Sequence, residues 1–192
     1  MKVITISREY GAGGHSVGRM VAEELGIEIY DRDIIKETAE KMALTPEKVE
    51  GDEEKLTFSE SIVRAISPVN YDMKGHLFDA ERQVIEQLAS NGPCVILGRC
   101  AGVILKAKGF DVLDVLLYAD EDARAERVGE ILGTNSISKI LKEMKKVDAR
   151  RNAYYSYYTG KKLTDCENWD LVLNTGTLGY EKCADLICSA VK

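Results

Sequence analysis

A glycine-rich stretch near the beginning of the chain, residues 7–16 with the sequence SREYGAGGHS, has the residue types that bind phosphate. The apolar run 3–6 precedes it and the amphipathic segment 17–25 follows it, which predicts a strand, a turn and a helix in that order. At such a turn, backbone N–H groups and the positive end of the helix dipole face an anion, and glycine lets the backbone approach it. The residues predicted to bind phosphate groups are Gly11, Ala12, Gly13, Gly14, His15 and Ser16.

Two of these residues have a second interpretation. Ser16, near the start of the predicted helix, is positioned to hold Mg²⁺ through its hydroxyl, but serine at this place is also typical of a plain helix cap. His15 can donate to phosphate or can be an exposed loop residue. The residues by themselves leave both alternatives open.

Arg8 is the unusual residue of the stretch. A consensus phosphate-binding loop reads G-x-x-x-x-G-K-[ST], but here Arg8 stands at the first glycine position and Gly14 at the lysine position. Arginine stays charged and binds phosphate through two N–H donors, and its side chain is long enough to fold back over the phosphates. We therefore predict that Arg8 supplies the missing charge. The alternative is a surface arginine paired with Glu9 or another carboxylate.

Composition restricts the classes of protein to consider. The chain has 192 residues, 45% of them hydrophobic and 30% charged, which is enough for one domain with a substantial core. Five cysteines without a C-x-x-C pair indicate a reducing compartment and neither a disulfide framework nor a zinc site. No apolar run approaches the ~18 residues of a membrane span, and the chain starts on a strand-like run, so we expect a cytoplasmic protein without a signal peptide. A net charge of −6 argues against a nucleic-acid or membrane surface.

Five short apolar segments alternate with helical patterns along the chain. The predicted strands are 3–6, 27–30, 94–97, 112–118 and 171–173. The predicted helices are 17–25, 32–42, a short one from 45, 59–66, 77–89, 121–128, 136–155 and 180–191. This alternation predicts a parallel sheet covered on both faces, which binds ligands at the carboxyl ends of its strands. The polar residues that follow the strands, and so predict an anion-binding crevice, are Arg8, Asp31, Arg99, Asp120, Asn174 and Thr175.

Several segments carry a family resemblance that covers nearly the whole chain. They are SREYG at 7–11, LGI at 25–27, VILGR at 95–99, the arginine-bearing helix 121–128, YYSYYTG at 154–160 and LNT at 173–175. Together they resemble nucleoside monophosphate kinases, and the cytidylate-kinase-like branch most closely. The resemblance implies an α/β fold of the P-loop NTPase type, with three αβα layers and a five-stranded parallel sheet in the order 2-3-1-4-5.

The resemblance also implies an organisation and an activity. It implies a single kinase domain over residues 1–192, with an acceptor-binding insertion at about 45–80 and a lid-like segment at about 136–165. The phosphoryl donor would be ATP with Mg²⁺, and the acceptor a pyrimidine nucleoside monophosphate. Arginines of the lid segment, Arg150 and Arg151, would then stabilise the charge that develops on the transferred group. The homo-oligomeric state stays open.

The remaining candidate residues each have a structural alternative. Arg99 follows a buried strand and is expected to bind a substrate phosphate, or else to pair with a carboxylate such as Asp31. Arg127 shares a helix face with Arg124; one of them lines the phosphate site, or both form surface pairs. The predicted catalytic residues are Arg8, Arg99, Arg150 and Arg151, and the predicted substrate-binding residues are Asp31, Arg99 and Arg127.

The chain departs from the family pattern at four positions, which keeps other functions open. Gly14 replaces the phosphate-binding lysine, Cys100 an aspartate, Glu37 an arginine and Asn174 a second aspartate. These changes leave two alternatives to a pyrimidine monophosphate kinase. One is a catalytically weak nucleotide-binding domain that acts as a sensor or regulator, and the other is a kinase of a different small acceptor.

Overall fold

The computed structural model of the protein describes residues 2–31, 33, 35 and 73–191. Glu37, most of the predicted helix 32–42, the predicted helices from 45 and over 59–66, and most of the predicted acceptor-binding segment lie outside the described residues. Ile35, which follows the second strand, is fully buried.

A five-stranded parallel sheet forms the centre of the molecule. Its strands are β1 (Val3–Arg8), β2 (Glu28–Tyr30), β3 (Cys94–Leu97), β4 (Val112–Tyr118) and β5 (Leu171–Asn174). They lie side by side in the order β2-β3-β1-β4-β5, and every neighbouring pair is parallel. Both the parallel sheet and the 2-3-1-4-5 order are therefore confirmed.

Seven α-helices surround this sheet in the part of the chain that the structure describes. They are α1 (Gly14–Leu25), α2 (Met73–Ser90), α3 (Ala101–Ala107), α4 (Glu121–Leu132), α5 (Ile137–Thr159), α6 (Thr175–Leu178) and α7 (Tyr180–Val191). Two of them, α3 and α6, were not predicted. Both are short and begin directly after a strand, so hydrophobic periodicity has too few residues in which to show itself.

Each face of the sheet carries its own apolar core, because side chains alternate along a strand. Ile4 and Ile6 of β1 belong to the core that contains Val17 of α1 and Ile187 of α7. The other core collects side chains of α2, α3, α5 and the neighbouring strands, among them Ile85, Ile96, Leu105 and Leu116, together with Trp169 from the segment before β5. Burial on both faces explains why the strands read as continuous apolar runs.

Helix α5 is packed along its length instead of standing free of the domain. Ile140 and Met144 pack against Ala125 and Val128 of α4, and Tyr155 is buried in the sheet core. The helix ends at Thr159, and Gly160 caps it in a left-handed conformation with a φ of 69°. The same side of α5 also faces the carboxyl ends of the strands, because Tyr155 is buried and, with Arg151 and Tyr154, lies beside Arg8 and Gly98. Among the described residues, no helix combines the length and apolarity needed to cross a membrane.

Candidate active site

The loop between β1 and α1 is a glycine turn held against two other elements. Gly11 and Gly13 have φ values of 86° and 73°, a region in which residues with a Cβ are strained. A Cβ on Gly11 would lie 2.7 Å from the carbonyl oxygen of Arg124, and one on Gly13 would overlap the ring of Tyr180. These two glycines are therefore needed both for the turn and for its close packing.

Helix α1 begins earlier than the sequence predicted, which changes the interpretation of the loop residues. Its first residue is Gly14 and its cap residue is Gly13. Ser16 is consequently the third residue of the helix and not its cap. His15 is exposed and lies 3.0 Å from Arg19, measured between Nε2 and Nη2.

The side chain of Arg8 lies across the start of α1. A Cβ built on Gly14 would be 2.7 Å from Cγ of Arg8, and one built on Gly98 would be 2.7 Å from its Nη1. The arginine therefore runs from the end of β1 over the first residue of α1 to the end of β3. A long side chain at position 14 and this placement of Arg8 exclude each other, which accounts for glycine at the lysine position.

A cavity of about 460 Å³ opens between the carboxyl ends of β1, β2 and β3 and the facing side of α5. It brings together six residues that the sequence predicted, namely Arg8, His15, Asp31, Arg99, Arg150 and Arg151. Asp33, which was not predicted, also lines it. Four guanidinium groups thus line the cavity together with two carboxylates, so arginines outnumber carboxylates among its lining residues.

Arg99 is held by a buried carboxylate that the sequence analysis did not single out. Its Nη1 lies 3.1 Å from Oε1 of Glu81, which is 1% exposed, and its Cζ lies 5.2 Å from the ring centre of Tyr154. Tyr154 in turn donates its hydroxyl to Oε2 of Glu81 over 2.7 Å. Arg99 thus has a structural carboxylate partner, Glu81, and its predicted contact with a substrate phosphate stays a prediction. Glu81 lies three and four residues before Val84 and Ile85, so its place on a buried helix face was the available signal.

The turn after β3 has an unusual backbone. Gly98, Arg99 and Cys100 have φ values of 76°, 59° and 55°, so three successive residues are left-handed. Such strain is sparse in proteins and clusters at ligand sites. Cys100 is buried, and burial raises the pKa of its thiol to about 12. It is therefore a neutral thiol at the position where the resemblance implies a carboxylate.

Asp31 and Arg127 differ in their relation to the cavity. Oδ1 of Asp31 accepts a hydrogen bond of 3.0 Å from the N–H of Asp33, as a helix cap does, and Asp31 lines the cavity. Arg127 is absent from the lining of this cavity; its Nη1 lies 2.7 Å from Oε2 of Glu130 on the exposed side of α4. Its predicted substrate contact stays a prediction.

A second cavity, of about 230 Å³, lies on the other side of the glycine loop. Small side chains and one aromatic ring line it: Gly11, Ala119, Ala123, Gly176, Gly179 and Tyr180, with Thr175 beside them. Thr175 ties its wall to the loop, since its hydroxyl lies 3.1 Å from the carbonyl oxygen of Ala12. Asn174 caps α6 by accepting from the N–H groups of Gly176 and Thr177.

The donor groups fit a polyphosphate more clearly than they fit a protein-bound metal. A glycine backbone, the start of a helix and several guanidinium groups converge between the two cavities. Among the described residues, no three histidine, cysteine, aspartate or glutamate side chains gather as a metal site. Mg²⁺ in kinases is held largely by substrate phosphates and few protein groups, so the predicted role of Ser16 stays a prediction.

The fold and the site define a P-loop kinase fold: a 2-3-1-4-5 parallel sheet with a glycine loop between its first strand and first helix. The model of the cytidylate kinase-like family matches residues 3–177, and the chain belongs to that family. The cytidylate kinase of Archaeoglobus fulgidus is 26% identical to it over 194 residues, covering 98% of this chain and 94% of that protein.

Two solved structures illustrate the likeness of the fold. A protein from Eubacterium ventriosum has a TM-score of 0.77 at 23% identity, with 100% of this chain and 98% of that chain covered. A gluconokinase from Sinorhizobium meliloti has a TM-score of 0.54 at 19% identity, covering 99% and 93%. The resemblance drawn from the sequence is confirmed, and the family and fold support a phosphotransferase of the kinase class that acts on a small acceptor.

Proposed function

We propose that this protein transfers the γ-phosphoryl group of ATP, bound with Mg²⁺, to a pyrimidine nucleoside monophosphate. The family and the relative named as a cytidylate kinase support this choice of acceptor. The cavity of about 460 Å³ also supports it, because an excess of guanidinium groups at the strand ends suits an acceptor that carries its own phosphate.

The observation that carries the proposal is the course of Arg8. Phosphoryl transfer depends on positioning and on neutralising charge over the transferred group, more than on covalent chemistry by the protein. Arg8 brings a permanent positive charge across the first residue of α1 and up to Gly98, where the loop and the larger cavity adjoin. In this proposal Arg8 does the work of the absent lysine at position 14.

The other residues divide between the two substrates. Arg99, Arg150 and Arg151 line the larger cavity and would neutralise the acceptor phosphate and the group in transfer. The smaller cavity, with its glycine and alanine walls beside Tyr180, would accept the flat base of the donor. We further propose one domain in which residues 136–165 act as the lid and 45–80 bind the acceptor.

A second candidate function is a nucleotide-binding domain with little turnover. The observation that favours it is Cys100, since a buried neutral thiol supplies neither a base nor a metal-binding carboxylate. A kinase of a different small acceptor is a third. A coupled assay of ADP release with cytidine, uridine and adenosine monophosphates, and with gluconate as a non-nucleotide acceptor, separates the three. Turnover that depends on a pyrimidine monophosphate supports the proposal, whereas ATP binding without acceptor-dependent release contradicts it.

The role of Arg8 has its own test, because the chain allows the charge to be moved. Arg8→Ala should weaken ATP binding by about tenfold to a hundredfold, which is the size of a lost hydrogen bond to a charged group. The double variant Arg8→Ala with Gly14→Lys places a lysine at the consensus position after removing the side chain that blocks it. Calorimetric titration with ATP and Mg²⁺ should show affinity recovered in the double variant. Equal affinity of the wild type and Arg8→Ala would overturn this role.

A further inference from the structure

Three elements meet at Tyr10, the residue that precedes the glycines of the phosphate loop. Its N–H donates to Oδ1 of Asp148 over 2.7 Å. The other carboxylate oxygen of Asp148, Oδ2, accepts from Nη1 of Arg124 over 2.6 Å. The same guanidinium nitrogen lies 3.4 Å from the carbonyl oxygen of Tyr10. One carboxylate of α5 therefore ties the loop to α4.

Helix α5 contacts the same part of the loop again one turn later. Nη1 of Arg151 donates to the carbonyl oxygen of Arg8 over 3.0 Å, and its Cζ lies 5.7 Å from the ring centre of Tyr10. Asp148 and Arg151 are three residues apart and share a helix face. The carboxylate of Asp148 accepts from the N–H of Tyr10, and the guanidinium group of Arg151 donates to the carbonyl oxygen of Arg8. Helix α5 therefore holds this backbone segment through one of its N–H groups and one of its carbonyl groups.

The carboxylate of Asp148 also neutralises the charge of Arg124. The side chain of Arg124 is 13% exposed and that of Asp148 29%, so their contact is shielded from water. Nε of Arg124 lies 3.5 Å from Glu9, a longer and weaker contact than the one to Asp148. Charge-assisted hydrogen bonds as short as 2.6 Å are among the stronger ones in proteins. Asp148 thus neutralises a guanidinium group directly beneath the phosphate loop.

We propose that Asp148 is a positioning residue for the phosphate loop. It holds Tyr10 through the backbone N–H and Arg124 through its charge, and so sets the conformation of residues 11–14 before a nucleotide binds. Asp148 lines neither of the two cavities described above, so it acts through these two residues and not on the substrate. The effect on ATP rests on the proposed function, whereas the effect on the loop backbone does not.

The test compares two replacements that break the contact to different extents. Asp148→Ala removes both the acceptor for the Tyr10 N–H and the charge, whereas Asp148→Asn keeps an oxygen that can accept from it. Asp122→Ala, at an exposed acidic residue in the first turn of α4, is the matched control. Two quantities are measured on each folded variant: hydrogen exchange of the backbone amides of residues 8–14, and the dissociation constant of ATP with Mg²⁺.

In Asp148→Ala we expect amide exchange at residues 10–14 to accelerate at least about tenfold, and the ATP dissociation constant to rise by about tenfold to a hundredfold. Asp148→Asn should fall between Asp148→Ala and the wild type in both, and Asp122→Ala should match the wild type. In Asp148→Ala, the factor by which kcat falls should be smaller than the factor by which KM for ATP rises.

Unchanged exchange at residues 10–14 in Asp148→Ala overturns the inference, as does an equal loss in Asp148→Asn and Asp148→Ala, which would assign the effect to charge alone. If the wild type fails to bind ATP, the proposed function falls while the exchange measurement still decides whether Asp148 holds the loop.

Discussion

The two sides of the glycine loop differ in what builds them. On one side the cavity of about 460 Å³ is lined by arginines and by carboxylates, and the buried Glu81 stands behind it. On the other side the cavity of about 230 Å³ is lined by glycine, alanine, threonine and one tyrosine. The first is shaped by charge and the second by the smallness of its side chains. One loop can therefore adjoin two sites that demand different chemistry from their ligands.

This contrast also separates how each side responds to mutation. The charged cavity depends on ion pairs in shielded places, where removing one partner leaves an uncompensated charge. The small cavity depends on space, which a larger side chain at its rim fills at little cost to the fold. The first kind of change should affect stability strongly, and the second should affect mainly ligand binding.

Glu81→Ala should have the largest effect. It leaves Arg99 without its buried partner and Tyr154 without its acceptor, so the free energy of unfolding should fall by about 3–5 kcal/mol. Urea denaturation measures this. Glu81→Gln keeps the volume and an acceptor for Tyr154, and should lose less. An unchanged urea midpoint in Glu81→Ala would contradict the buried ion pair.

Asp114 lies beneath the charged cavity, and its titration should make the free energy of unfolding depend on pH. It is buried in β4, accepts from the Thr5 hydroxyl over 2.6 Å, and burial raises its pKa to about 6 from a usual 3.8. The folded state therefore holds this proton more tightly than the unfolded state. Stability should fall as pH rises from about 4 to about 6, by about 2–3 kcal/mol at most, and then level off.

Asp114→Asn cannot titrate, so the difference in unfolding free energy between it and the wild type isolates this effect from other carboxylates. That difference should change across pH 4 to 6 with the sign just given and be constant above about pH 7. A difference that does not vary with pH would show that Asp114 does not titrate in this range.

Ala123→Leu tests whether the small cavity binds ATP and not the acceptor. Ala123 is exposed on α4 and lines the small cavity, so leucine should fill that cavity and raise KM for ATP by about tenfold, or about 1.4 kcal/mol. The KM of the acceptor should stay within about twofold. Glu126→Leu, an exposed change on the same helix, is the control for added hydrophobic surface. If the KM of the acceptor rises instead, the acceptor would be assigned to the small cavity and the proposed assignment of the two cavities would be wrong.

Arg127→Ala should have the smallest effect. Its guanidinium pairs with Glu130 three residues along α4, and exposed pairs of this kind contribute about 0.2–0.5 kcal/mol. Steady-state kinetics with ATP and cytidine monophosphate should therefore agree with the wild type within about twofold. A loss of acceptor affinity would instead support the substrate contact that the sequence predicted for Arg127.

Sequence reasoning predicted best where the signal is local. The runs 94–97 and 112–118 match β3 and β4 residue for residue, and the predicted helix 180–191 matches α7. It missed α3, whose first turn follows a left-handed Cys100 with no polar cap to announce it. Sequence reasoning also missed Glu81 and Asp148, because a carboxylate on a helix is expected to be exposed to solvent unless its partner is known.

What the sequence determined alone is the sheet, its longer helices and the position of the glycine-rich loop. Hydrophobic periodicity and glycine spacing act over neighbouring residues, so they can be read along the chain. Only the tertiary structure decided that Arg8 covers Gly14 and that Arg99 pairs with Glu81. It also decided that Asp148, 138 residues away, accepts from Tyr10. Such pairings depend on which strand ends and helix faces come into contact, and the pattern of neighbouring residues in the sequence does not predict those contacts.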